Sequence, residues 1–197
     1  HPVLALAAAA QSRGHDVRVV IPARFLPVAT SLGLSVVPFP EDSDRAMHQM
    51  GAGLGSARRA LRWFASELQR QAEFLLEAAA GVDLLLGTVT DTAAPTVAEA
   101  RRLRFVRLAY TLVLPGRQPP PLIPWVSLPP WLNPLAWRLI NGAAGLLLRR
   151  PLNELRRGLG LDPVGPIADY FAGAGPTLLG VSPLLAPPDP TWSFPHA

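Results

Sequence analysis

Cysteine and lysine are both missing from this chain of 197 residues. The first absence removes disulfide frameworks and thiolate metal sites. The histidines do not make up the loss, because His1, His15, His48 and His196 are scattered without ligand spacing. The expected metal content is therefore none. Without lysine, the net charge of +4 comes from arginine alone. Those arginines are spread over helix ends and exposed faces, whereas a nucleic-acid footprint gathers its cations along one face or element. No nucleic-acid partner is expected. Long apolar runs are missing too. Hydrophobic residues make up 49% of the chain, yet no stretch gives the roughly 18 unbroken apolar residues of a membrane span. The nearest approach, Leu139 to Leu148, ends at Arg149 and Arg150. The expected location is cytoplasmic, with association at a membrane surface as its variant.

What the chain has in quantity is proline and glycine, 23 and 16 residues, and they punctuate it. Pro2 suits a first helical position, and the helix over Pro2 to Ser12 stops at Gly14. A strand over Val17 to Ile21 follows. Ala23 to Leu32 reads as a helix stopped by Gly33, with Pro27 delaying its start. Leu34 to Val37 is a strand ended by Pro38, and Phe39 to Gly55 is a long loop containing Met47, His48 and Met50. From Ser56, an expected N-cap, a helix runs to about Ala80. Its apolar face is Ala57, Leu61, Phe64, Leu68, Ala72, Leu75 and Ala79, a spacing that predicts core packing. Asp83 to Leu86 is a strand, Thr92 a candidate cap for a helix through Arg102, and Phe105 to Tyr110 a strand. Leu178 to Val181 is a further strand. Strands alternating with helices predict an open α/β sheet of parallel strands, with a further strand expected before His1. Between Pro115 and Pro134 the texture changes to a segment rich in proline and tryptophan. An apolar helix over Leu135 to Arg150 and a more polar helical piece over Pro151 to Gly158 follow it.

The chain reads as one domain, residues 1–197, of a larger protein. It opens on His1 directly before a helix, and its closing stretch from Gly180 through Pro188, Pro190 and Trp192 reads as an exit into a linker. In open α/β sheets ligands sit at the carboxyl ends of the strands. That places the expected pocket on the loops beginning near Pro38, at Gly87 to Asp91 and at Ala109 to Val113, together with a loop expected before His1. No Gly-x-Gly-x-x-Gly turn follows any of these strands, so nothing here marks a dinucleotide site, and that rival reading rests on sequence upstream.

Three stretches resemble a known family. His1-Pro-Val-Leu-Ala-Leu-Ala7 with Arg13-Gly-His-Asp-Val-Arg-Val19 is similar to the opening of GT-B glycosyltransferases of the sterol and glycopeptide or macrolide type. Asn153-x-x-Arg156-x-x-Leu159-Gly-Leu161-x-Pro163 is similar to that family's Asn, Arg, Leu-Gly-Leu-x-Pro block. Gly180-Val-Ser-Pro183 with Pro188, Pro190 and Trp192 is similar to the segment before their interdomain linker. The resemblance covers nearly the whole chain.

The resemblance implies a Rossmann-like open parallel sheet with helices on both faces, interrupted after the strand near 105–110 by the Pro/Trp-rich helical insertion. It implies that this is the acceptor-binding N-terminal domain of a two-domain hexosyltransferase. A UDP- or dTDP-hexose donor would then sit on a C-terminal domain, with no cofactor in this one. The family's base stands in a Gly-(His or Asp)-x-x-Pro motif. Aligning its Pro with Pro2 puts the base two positions before His1, so no catalytic base is expected within the chain.

The candidate acceptor-binding residues are His1, Thr90, Asp91, Tyr110, Trp125 and Trp131. His1 fills the variable position before the motif's proline; it lines the pocket, is simply the end of a truncated stretch, or takes part directly through an imidazole of the type that titrates near neutral pH. Two roles are open to Asp91. It orients an imidazole base, as some relatives pair an Asp from this region with the catalytic His, or it favours the positive N-terminus of the next helix. Trp125, Trp131 and Trp137, with Leu122, Ile123 and Leu128, are either the wall of an apolar acceptor site or filler between helices and sheet. A third option is a membrane-surface patch, with Arg138, Arg149 and Arg150 facing lipid headgroups. Asn153 and Arg156 are expected to be structural, tying this helical segment to the sheet. The alternative to the enzyme is a non-catalytic apolar-ligand or interaction module on the same fold.

Overall fold

The computed structural model describes residues 2–39, 54–110, 129–182 and 189. Within that span the chain forms two compact units, residues 1–49 and 50–197.

In the first unit, α1 (Pro2–Gln11) leads to β1 (Arg18–Pro22), a single 3-10 turn (Ala23–Phe25), α2 (Leu26–Ser31) and β2 (Ser35–Phe39). The two strands pair in parallel, from Arg18 opposite Ser35 to Pro22 opposite Phe39. Leu4 and Ala7 of α1, Val19 and Ile21 of β1, Ala29 of α2 and Leu34 form its core. The Gln11 amide donates to the Gly33 carbonyl at 3.1 Å, joining the end of α1 to the turn before β2. Two boundaries differ from expectation. The helix expected from Ala23 begins as a 3-10 turn, because Pro27 lacks an N–H and fits only the first turn of α2. Pro38 does not end β2 but pairs opposite Ile21 near its close, where a missing ladder donor is tolerated.

The second unit runs α3 (Leu54–Ala78), β3 (Leu84–Thr88), α4 (Ala94–Arg101), β4 (Arg104–Ala109), a 3-10 turn (Pro130–Leu132), α5 (Asn133–Gly158), α6 (Ile167–Gly173) and β5 (Thr177–Leu179). Its sheet is parallel in the order β3-β4-β5, with Thr88 opposite Leu108 and Ala109 opposite Leu179. Leu68, Ala72 and Ala79 pack with Ala93 and Val97 of the α4 segment, Leu152 and Leu155 of α5 and Ile167 of α6. Of these, Leu68, Ala72 and Ala79 are residues that the helical spacing of the sequence marks as core. The parallel α/β fold predicted from alternating strands and helices is thus present.

Several elements depart from the reading. Ser56 is inside α3, which starts at Leu54, so it is not the N-cap. Thr92 does not cap α4, whose N-cap Ala93 carries no side-chain bond. The pieces expected on either side of Pro151 are one helix, α5. A mid-helix proline costs about 3 kcal/mol, but Leu148, Leu152 and Leu155 continue a single buried face across it and offset that cost. Helix α6 has no counterpart in the reading. The strand expected at Leu178 to Val181 is Thr177–Leu179.

The end of α5 is set by its sequence. Gly160 takes a left-handed φ of 73°. The Leu161 N–H then donates to the Arg156 carbonyl at 2.9 Å and the Gly160 N–H to the Arg157 carbonyl at 3.1 Å. Together these form a Schellman close. The Asn153 amide holds the returning chain on both sides, donating to the Val164 carbonyl at 3.1 Å and accepting the Val164 N–H at 2.8 Å.

Candidate functional site

Because β3, β4 and β5 are parallel, their carboxyl ends share one edge. Strand β3 delivers Thr88, Thr90 and Asp91 to it, β4 delivers Tyr110, and β5 delivers Gly180. Gly87 in β3 leaves room for the start of α4, since a Cβ there would stand 3.1 Å from Ala94 Cβ and from the Phe105 ring. The loop from β3 into α4 is therefore short and tightly folded.

That loop is organised by Asp91. The Thr88 N–H donates to Asp91 Oδ2 at 2.5 Å, and the Thr88 hydroxyl donates to the same oxygen at 2.9 Å. With its proton so used, Thr88 Oγ1 accepts from Thr90 Oγ1 at 2.9 Å. The backbone closes the turn, with the Asp91 N–H donating to the Thr88 carbonyl at 3.2 Å. Both side-chain bonds of Asp91 fall on Oδ2 and come from the strand end, none from the α4 backbone, so the carboxylate is not a helix cap. The Thr92 hydroxyl is buried and has no hydrogen-bond partner among the described residues.

Burial pushes the Asp91 carboxyl above its ordinary value of 3.8, and the two Thr88 bonds only partly offset the shift. Tyr110 responds to it. Burial raises the phenol's pKa, and the nearby Asp91 charge raises it further. Tyr110 also stands beside β5, because a Cβ on Gly180 would lie 3.6 Å from Tyr110 Cβ. The Gly180 N–H donates to the Ala109 carbonyl at 2.8 Å. Thr90, Asp91 and Tyr110 are thus brought to one edge. A carboxyl held off its solution pKa, beside hydroxyl donors and a phenol, can orient and exchange a proton with a ligand group.

The other candidates fall differently. His1 and Trp125 lie outside the described residues, as do Leu122, Ile123, Leu128, Met47, His48, Met50, Pro183, Pro188, Pro190 and Trp192. The side chains of Ala57, Leu61 and Phe64 lie outside them too. Trp131 stands in the 3-10 turn before α5 and is 75% exposed. Trp137 is buried in the packed face of α5, so the filler reading holds for it.

A cavity of about 480 Å³ lies elsewhere, between α4 and α6 over the start of β4. Glu99, Phe105, Asp169, Tyr170 and Ala174 line it. Next to it is a polar network that the sequence reading missed. Arg156 donates to both carboxylate oxygens of Glu99, to the Asp162 carbonyl at 2.7 Å and to the Tyr170 hydroxyl at 3.3 Å. Thr96 shares a 2.8 Å bond with the same hydroxyl. Arg156 is structural, as expected, but it ties α5 to α4 and α6 and not to the sheet. Only helical spacing that placed Thr96 and Glu99 on one face of α4, three residues apart, could have hinted at the partner. No group of three or more metal-ligating side chains occurs among the described residues, and no described helix is long and apolar enough to cross a membrane.

No protein-family model matches the chain, and no curated protein does. Solved structures do match in fold. A glycosyltransferase of Streptomyces sp. SF2575, SsfS6, is 18% identical with a TM-score of 0.55, covering 94% of this chain and 48% of its own. The calicheamicin glycosyltransferase CalG4 is 21% identical with a TM-score of 0.59, at 91% and 42% coverage. The spinosyn forosaminyltransferase SpnP is 21% identical with a TM-score of 0.54, at 100% and 45%. The chain spans less than half the length of these solved structures. Over nearly the whole chain the fold is similar to that of part of each of these structures.

Proposed function

We propose that the chain is the acceptor-binding half of a glycosyltransferase that moves a hexose from a nucleoside diphosphate sugar to a hydroxyl of an apolar acceptor. The observation that carries this is the likeness in fold to natural-product glycosyltransferases over 90% or more of this chain. The sequence blocks similar to the sterol and glycopeptide or macrolide type favour a sterol, a lipid or a macrocycle as acceptor. The UDP- or dTDP-hexose belongs to a separate donor domain, and no metal or cofactor is assigned to this one. The location proposed for the protein is cytoplasmic.

In this reading the acceptor hydroxyl lies at the edge formed by Thr90, Asp91 and Tyr110. Attack of the acceptor hydroxyl on the anomeric carbon forms the new C–O bond as the bond to the nucleoside diphosphate breaks, and the hydroxyl must lose its proton in that step. The resemblance puts the base in a motif around Pro2, before His1. Asp91 suits the orienting role, because Oδ2 is pinned by Thr88 and Oδ1 makes no hydrogen bond among the described residues. A buried carboxyl regains its charge most easily beside a cation, so it stabilises an imidazolium once the proton has moved. Tyr110 adds a hydroxyl that can accept or donate to the acceptor oxygen.

Calorimetry tests the proposal. The chain is expected to bind an apolar alcohol such as a sterol or macrolide aglycone, to bind no UDP- or dTDP-hexose, and to show no transfer by itself. Half of the surface that positions donor against acceptor lies in the donor domain, and positioning is a main source of rate. Tyr110→Ala is expected to weaken acceptor binding by about tenfold. Clear binding of a nucleotide sugar to this chain contradicts the assignment.

A further inference from the structure

Helix α5 carries apolar residues on two opposite faces. Trp137, Leu148 and Leu155 lie on the buried side. On the other side Leu135, Leu139 and Leu146 are 52%, 68% and 85% exposed. At 100° per residue these three leucines fall within about 40° of one another, a single narrow stripe. Gly142 continues it and projects nothing above the leucines. Trp131, 75% exposed, stands one turn before its start. Aligned and exposed leucines mark a surface that is covered in use.

The charges beside the stripe say by what. Arg138 and Arg149 flank it on one side and Arg150 on the other. From Asn133 to Asn153 there is no Asp or Glu at all. Glu154 pairs with Arg150 at 2.9 Å, and among the described residues Arg138 and Arg149 make no ion pair. A second copy of this chain packed across a two-fold axis would bring these like charges toward one another, which is unfavourable at a desolvated contact. An anionic lipid surface meets both halves of the pattern. Acyl chains accept the leucines and Trp131, and headgroup phosphates accept the guanidinium groups. We propose that the Leu135, Leu139 and Leu146 face of α5 is a peripheral docking surface for an anionic membrane. This stands on the exposed face of α5 and not on the glycosyltransferase reading.

Vesicle sedimentation tests it with the chain itself, using phosphatidylcholine alone and phosphatidylcholine mixed with phosphatidylglycerol. Binding is expected with the mixed vesicles only, and raised salt should release it. Leu139→Ser combined with Leu146→Ser should abolish binding while the circular dichroism spectrum is unchanged. Arg138→Gln and Arg149→Gln should each lower affinity about fivefold. Trp131→Phe should remove part of the fluorescence blue shift that accompanies insertion. Three results overturn the proposal. They are no binding to mixed vesicles at low salt, equal binding by the double serine variant, and a dimer in analytical ultracentrifugation that the double serine variant dissolves. The last result assigns the stripe to a second copy.

Discussion

Arg156 grips Glu99 with both arms of its guanidinium, Nη1 to Oε2 at 2.7 Å and Nη2 to Oε1 at 2.9 Å. The arginine is buried and the glutamate half exposed. The pair joins α5 to α4 across 57 residues of sequence. Removing one partner of such a pair leaves a buried charge short of an acceptor. Glu99→Ala is therefore expected to cost about 2 kcal/mol, below the figure for fully buried pairs because water reaches Glu99. Arg156→Lys should recover little, since an ammonium cannot make the bidentate contact. Thermal melts of the three proteins check the ordering.

Gly175 gives a sharper steric prediction. A Cβ there would stand 2.3 Å from the Phe105 carbonyl oxygen, a backbone atom with no room to yield. Gly175→Ala should force β5 away from β4 and cost about 2 kcal/mol. Gly173→Ala is the control, because a Cβ at that position meets nothing within 4 Å. Denaturant midpoints of the two variants should differ clearly, and equal midpoints would show that β4 and β5 are not held this closely.

Asp91 makes stability depend on pH in an unusual direction for a carboxylate. Its folded pKa is raised by burial above the 3.8 of the free side chain. The folded state thus holds the proton more tightly than the unfolded one. The sign follows: this contribution to stability is fully present below about pH 3.8 and is lost as pH rises through the raised folded value. Asp91→Asn keeps an oxygen for the Thr88 donors and removes the charge. It should be neutral or stabilising by about 1 kcal/mol at pH 7, with the difference vanishing on acidification. A variant markedly less stable than the parent at pH 7 would mean that the ionised form is the favoured one.

Tyr110 is linked to the same carboxyl. Its phenol pKa is raised by burial and then by the Asp91 charge. A spectroscopic titration should show Tyr110 ionising at lower pH in Asp91→Asn than in the parent, compared against Tyr110→Phe to isolate its signal from Tyr170. Equal midpoints would separate the two residues.

How far the sequence foretold this molecule depends on the range of the interaction. The turns before β1 and β2 and the core residues Leu68, Ala72 and Ala79 follow from local spacing and backbone preference. The Schellman close of α5 falls two residues past the end read at Gly158, because the positive φ of Gly160 lets the Gly160 and Leu161 N–H groups reach back to the Arg157 and Arg156 carbonyls. The continuity of α5 through Pro151 was not legible. Local propensity argues for a break, and only packing of Leu152 and Leu155 on other elements overrides it. Helix α6 is only seven residues long, so its apolar turn of Ile167, Tyr170 and Phe171 is too short to stand out from the proline- and glycine-rich sequence around it. The Arg156, Glu99, Tyr170 and Thr96 network joins residues that no local pattern relates. At the candidate site, Thr90, Asp91 and Tyr110 were placed by the rule that ligands meet the carboxyl ends of parallel strands. The grip of Thr88 on Asp91 was missed, since a threonine within a strand carries no signal that its hydroxyl turns to the next loop.

The central claim is that the edge carrying Thr90, Asp91 and Tyr110 receives an apolar alcohol. Backbone amide shifts of the isotopically labelled chain, recorded while a sterol or macrolide aglycone is added, test it most directly. The account predicts saturable shifts centred on Thr88, Thr90, Asp91, Tyr110 and Gly180, and none at those residues with a nucleotide sugar. Shifts confined to the cavity by Glu99 and Tyr170, or a response of the strand edge to the nucleotide sugar alone, would contradict it.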